Sequence, residues 1–166
     1  MADKFSFDIV SEVNMMEVDN AVNQAQKELA NRFDFKGSTK SAIELNKNDK
    51  KIILVADDDY KMKALKDILE GRFAKRGVSI KSLNYKAQEN AFEGYIRQTA
   101  EIVSGLPSDK AKELAKLIRD SKIKVQTQID GEKVKIISPK KDDLQQVIAY
   151  LKEVSFSLPL QFTNYR

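Results

Sequence analysis

The chain has 166 residues, 42% hydrophobic and 33% charged, with a formal net charge of +4, the balance of a globular chain able to bury a core. It has no cysteine and no histidine, which removes disulfides, the usual zinc ligand sets and the commonest general base. No run approaches the roughly 20 apolar residues of a membrane span, and Met1-Ala2-Asp3-Lys4 leads into a strand pattern with no signal-peptide core, so a cytoplasmic location is expected.

Phe5, Phe7 and Ile9 alternate with Ser6 and Asp8, which predicts a half-buried strand with the phenylalanines in the core. Val18, Ala21, Val22, Ala25 and Leu29 then recur at helical spacing. Ile43–Leu45 and Ile52–Val55 predict a hairpin joined by the polar loop Asn46–Asp49. Asp57-Asp58-Asp59 opens a helix marked by Met62, Leu65, Ile68, Leu69 and Phe73. Carboxylates there cap the helix and complement its dipole, a role preferred to a divalent-ion site. Gly77 after Lys75 and Arg76 suits a left-handed cap, and Val78–Leu83 predicts a short strand.

The same succession follows again. Ile96–Val103 reads as a long strand, and Pro107-Ser108-Asp109 opens a helix carrying Ala111, Leu114, Ala115, Leu117 and Ile118. Ile123–Ile129 and Val134–Ile137 predict a hairpin turning on Asp130-Gly131. Leu144, Val147, Ile148 and Leu151 give a helix, and Leu158–Phe162 a closing strand.

Moved forward by 82 positions, residues 43–69 fall on 125–151 without a gap. Ile43 lands on Val125, Ile52 on Val134, Leu54 on Ile136, Leu65 on Val147 and Leu69 on Leu151. The expectation is an α+β fold made by internal duplication, each half in the βαββαβ, ferredoxin-like order. Ile53 and Val55 make one strand apolar on both faces, so something covers its outer side. The other half is the simplest cover, and a monomer is favoured over a dimer.

No phosphate-cradling GxxxxGK[ST] or GxGxxG motif occurs, and nothing except lysine is at hand to activate a serine nucleophile, so no enzyme, cofactor or metal site is expected. The charge is uneven. Residues 110–141 hold ten basic residues against four acids, a net +6, which leaves −2 elsewhere. If Ile123, Val125 and Ile129 face the helices, Lys124, Gln126 and Gln128 point the other way, joined by Lys133 and Lys135 on the neighbouring strand. Such a row of cations and amides suits phosphates and base edges. The candidate binding residues are Lys122, Lys124, Gln126, Gln128, Lys133, Lys135 and Arg166, the last able to clamp a base stacked on Tyr165. Neither Ile52–Val55 nor Val134–Ile137 carries an aromatic, so stacking of the RNA-recognition type is not expected. Contacts with nucleic acid would be electrostatic and weakly sequence-specific. The alternative is a protein-interaction or scaffold module with no nucleotide ligand.

Several segments together resemble one family. Phe7-Asp8-Ile9-Val10-Ser11-Glu12-Val13, Arg32-Phe33-Asp34-Phe35-Lys36-Gly37, Asp120–Gln126, Asp142-Asp143-Leu144-Gln145 and Pro159–Arg166 are similar, in order, to the YajQ family of bacterial proteins. The resemblance implies two ferredoxin-like domains that exchange their first strands. One would span 14–104, the other 1–13 plus 105–166. It also implies a nucleotide- or nucleic-acid-binding protein, some members being regarded as receptors for cyclic di-GMP. The implied partner is a nucleotide, cyclic di-GMP among the candidates, or RNA, with no membrane. Lys135 replaces the arginine more usual in that family, so a phosphate there would meet a point charge and not a bidentate fork.

Overall fold

The computed structural model describes residues 4–32 and 41–166; of the segment Arg32–Gly37, all but Arg32 lies outside them. In chain order the elements are β1 (Phe5–Val10), α1 (Met15–Asn31), β2 (Ala42–Asn46), β3 (Lys51–Ala56), α2 (Asp59–Lys75), β4 (Leu83–Tyr85), β5 (Glu89–Asn90) and β6 (Ile96–Ile102). They continue with α3 (Ser108–Asp120), β7 (Gln126–Asp130), β8 (Lys133–Ser138), α4 (Lys141–Glu153) and β9 (Gln161–Thr163). The fold is α+β, with four helices and two antiparallel sheets among the described residues.

The chain divides into two compact units, Val13–Val103 and Met1–Glu12 with Ser104–Arg166. In the first, the strand order is β2-β3-β6-β4, with β5 also on β6. In the second it is β7-β8-β1-β9. β1 therefore lies inside the second sheet although α1 of the first unit follows it directly. Its register is Phe7↔Ile136 and Asp8↔Lys135 on one side and Asp8↔Thr163 on the other.

Helix ends are fixed by local chemistry. Asn14 Oδ1 accepts from Met16 N and Glu17 N at 3.0 and 3.3 Å, and Asp58 Oδ1 accepts from Lys61 N at 2.8 Å. Both are N-caps, which satisfy amides that have no partner inside the helix. Asp57 forms an ion pair with Lys61. α2 ends in a Schellman motif: Gly77 N donates to Ala74 O and Val78 N to Phe73 O, with Gly77 at φ +74°. At α4, the Ser138 hydroxyl accepts from Lys140 N and donates to Asp143 Oδ2, tying the end of β8 to the first turn of the helix.

The helices cover one face of each sheet. The core of the first unit includes Val18, Val22, Ile43, Ile52, Leu54, Met62, Leu65, Leu69 and Phe73. That of the second includes Phe7, Ile9, Leu114, Ile118, Val134, Ile136 and Val147. Ile53 and Val55 are half-buried.

Several expected elements take another form. Ile80–Ser82 is a 3-10 turn, so β4 starts only at Leu83, and β9 starts at Gln161. The helix opened by Pro107 has no side-chain cap. The two central residues of the second hairpin turn are Gly131 and Glu132, because Asp130 already pairs with Lys133. Only Gly131 has a positive φ, +62°, the pattern of a type II′ turn. Ile129 lies on the edge strand β7 and is 43% exposed, so it is not a core residue. Phe5 is half-buried and not enclosed as Phe7 is.

Candidate functional site

The cross-strand register fixes which side chains share the open face of the second sheet, because directly paired residues point the same way. Gln128, Lys135, Asp8 and Thr163 form one row, each paired with the next. Gln126, Ile137 and Ser6 form the row on one side of it. On the other side Asp130 pairs with Lys133, and Val10 with Gln161. The helix-side partners of these strands, Phe7, Ile9, Val134 and Ile136, are buried.

Four of the expected residues, Gln126, Gln128, Lys133 and Lys135, therefore meet on one face. Their electrostatics are not uniform. Asp8 is buried in the middle of the sheet, with its side chain 5% exposed, and its Oδ2 lies 3.6 Å from Lys133 Nζ. Asn164 Nδ2 donates to the same carboxylate oxygen at 2.9 Å. Asp8 and Asp130 thus offset the charge of Lys133, whereas Lys135 has no ion-pair partner among the described residues. The period-2 pattern of the first strand already put Asp8 on the face away from the core. It could not say which sheet that strand enters.

Lys124 is not on the strand ladder. Val125 N donates to Ile123 O at 2.9 Å, a three-residue turn centred on Lys124, and β7 starts two residues later. Lys124 nevertheless stays with the face at its end. It lines a cleft of about 180 Å³ with Lys4, Gln126, Ile137 and Ser138. Lys4 is the cation that sequence reasoning missed, because it only becomes a neighbour once β1 lies beside β8.

Lys122 is placed elsewhere, and Arg166 stands beyond β9 at the far edge of the sheet. Lys122 follows α3 at φ +63° and donates its amide to Arg119 O, a helix-cap conformation normally given to glycine or asparagine. Arg166 pairs by backbone with Ser6, at 2.9 and 3.0 Å. Since Thr163 pairs with Asp8, the two residues Asn164 and Tyr165 stand opposite Phe7 alone. This is a β-bulge, and Asn164 takes the left-handed conformation it needs, φ +58°. Ser6 and Arg166 both border a cavity with Phe5, Lys141, Leu144, Ile148 and Tyr165, which includes no residue of the lysine row.

Two ionisable groups of the first unit are shifted. The Arg76 guanidinium, hydrogen-bonded through Nε and Nη2 at 2.8 and 3.0 Å, lowers the Glu17 carboxyl. Burial, reinforced by the Glu70 carboxylate, raises the Tyr85 hydroxyl. Among the described residues, no group of three or more His, Cys, Asp or Glu side chains is arranged to hold a metal ion, and no helix is long and apolar enough to cross a membrane.

The chain is thus an α+β protein with two antiparallel sheets, one of which presents amides and lysines on its open side. Residues 5–166 match the family described as nucleotide-binding protein YajQ-like, and the chain belongs to that family. A protein of Endomicrobium trichonymphae named nucleotide-binding protein is 85% identical over 166 residues, covering all of both chains. Proteins given the same name in Carboxydothermus hydrogenoformans and Chloroherpeton thalassium are 54% and 44% identical over the same full length.

Proposed function

We propose that this chain is a non-catalytic cytoplasmic protein that binds a nucleotide or a single RNA strand across the open face of β7, β8, β1 and β9. Lys135 and the Lys4–Lys124 cleft would take phosphates, and Gln126 and Gln128 would meet base edges or sugar hydroxyls. The observation that carries this reading is the paired row Gln128–Lys135 with Gln126 beside it and two further cations at its end. The name shared by the relatives supports the ligand class. Lys133 would contribute less, because Asp8 already engages it. By register the open face carries no aromatic, so phosphate attraction would dominate over base stacking. Cyclic di-GMP is the dinucleotide of choice for the test.

The fold reading that accompanies this is two duplicated ferredoxin-like domains, 14–104 and 1–13 plus 105–166, with exchanged first strands. It is supported by the matching orders β2-β3-β6-β4 and β7-β8-β1-β9, in which β6 and β1 take equivalent places. The non-catalytic reading is supported by the lack of histidine and cysteine, which leaves serine, lysine and carboxylates without their commonest activating partners.

Calorimetry with cyclic di-GMP, GTP and a short single-stranded RNA, each at two salt concentrations, tests the reading. At least one should bind, more weakly at high salt, and Asp8→Asn should strengthen it by removing a negative charge from the face. No heat with any of the three would overturn the reading in favour of a scaffold.

A further inference from the structure

The cavity on the helix side of the second sheet has a composition unlike that of the lysine row. Its volume is about 350 Å³, inside the roughly 300–1,000 Å³ range of small-molecule pockets and near its lower end. One wall is a stripe of α4: Lys141, Leu144, Gln145 and Ile148, positions three and four apart that lie on one face of a helix. Leu144 and Ile148 are only 5% and 8% exposed and form an apolar floor. The opposite wall is aromatic, from Phe5 at the start of β1 and Tyr165 beyond β9.

The bulge at Asn164 is what brings Tyr165 here. It shifts the strand by one residue, so that Tyr165 joins Phe7 on the helix side, with ring centres 5.9 Å apart and planes at 31°. Tyr165 is backed by a buried ring yet remains 60% exposed. One cation completes the site: Lys141 Nζ lies 5.2 Å from the centre of the Phe5 ring. The hydrogen bonds of Ser138 to Lys140 N and Asp143 hold the turn from which Lys141 projects. No acidic side chain lines the cavity.

An apolar floor, aromatic walls, one amide and the Lys141 ammonium are the complement of a flat ring carrying an anionic group. A neutral hydrophobe would leave the ammonium unused, and the cavity is too small for two stacked bases with their sugars. We infer that this cavity binds a nucleoside monophosphate, with the base against Phe5 and Tyr165, Gln145 at its polar edge, and the phosphate on Lys141. This rests on the nucleotide-binding reading and adds a pocket separate from the lysine row.

The test is an amide-resolved NMR titration of the full chain with GMP and with AMP, using inorganic phosphate as the control anion. The expected result is saturable shifts at Leu144, Gln145, Ile148 and Tyr165. Gln145→Trp, at an exposed position, should fill the cavity and abolish them while the rest of the spectrum stays unchanged. Lys141→Ala should weaken binding by about tenfold or more, the loss expected for a charge-assisted hydrogen bond. Lys135→Ala should leave the cavity shifts as they are. Shifts at Gln128 and Lys135 that ignore Gln145→Trp would overturn the pocket and leave nucleotide binding standing. Equal shifts with phosphate alone would overturn the role of the base. No shift with either nucleotide at millimolar concentration would overturn the pocket, and silence in the calorimetric screen as well would remove the broader reading with it.

Discussion

Phe7 offers a sharp test of how β1 is used. Its side chain is fully buried, and its ring lies 5.9 Å from those of both Phe162 and Tyr165. Truncation of such a residue costs about 3–5 kcal/mol, from lost transfer energy and the cavity left behind. At about 1.4 kcal/mol per tenfold change, Phe7→Ala should raise the opening equilibrium of its own unit by roughly a hundred- to a few thousandfold. The effect should be local. Phe7 pairs with Ile136 on β8, within the unit of Met1–Glu12 and Ser104–Arg166, although only the residues up to Asn14 separate β1 from α1. Hydrogen exchange by segment should show β8, β9 and α4 losing protection while α1, β3 and α2 keep theirs. Phe73→Ala, a truncation of a fully buried residue in Val13–Val103, should do the reverse. Equal loss in both units from either change would refute the reasoning, since it would mean that the chain opens as a whole.

Three further outcomes follow from single contacts. Asp58→Ala should destabilise the chain by about 0.5–2 kcal/mol in urea through loss of the cap on Lys61 N, whereas Asp58→Asn keeps an acceptor and should cost less. Gly105→Ala should cost more than about 1 kcal/mol in the same assay, because the glycine sits at φ +88°, where an L side chain is strained; the Glu132 carboxylate that the new Cβ would meet is the end of an exposed, flexible side chain and can move aside. The lowered Glu17 carboxyl gives stability that is complete above its ordinary value of 4.5 and is lost as pH falls through the lower folded value. Urea midpoints measured against pH should therefore show a shallower acid limb in Arg76→Ala.

Much of this fold can be read from local pattern. Helical spacing found α1 through α4, and alternation put Phe7 and Ile9 on the helix side with Ser6 and Asp8 on the opposite face, because both signals depend on residues close in sequence. The grouping of Gln126, Gln128, Lys133 and Lys135 came from the same alternation on a hairpin. What stayed hidden depends on distant pairing or on single-residue conformations. Asp8 mutes Lys133 only because β1 lies beside β8, across a separation of more than a hundred residues. Tyr165 joins Phe7 on the helix side only because Asn164 adopts a positive φ and shifts the strand by one residue. Lys124 drops off the ladder through one tight turn, and Lys122 is held in a helix cap. No periodicity records such one-residue departures.

The most direct measurement of the central claim is the salt dependence of single-stranded RNA binding, compared between the native chain and Lys4→Ala/Lys124→Ala/Lys135→Ala. Each phosphate contact on a single strand contributes about −0.7 to the slope of log K against log salt. If these three lysines meet phosphates, the triple variant should flatten the slope by about 2 and bind all sequences more weakly to a similar degree. Lys133→Ala, at a lysine already engaged by Asp8, should change the slope far less. An unaltered slope and affinity in the triple variant, with hydrogen exchange showing both units intact, would contradict the account and move the nucleic-acid contact off this face.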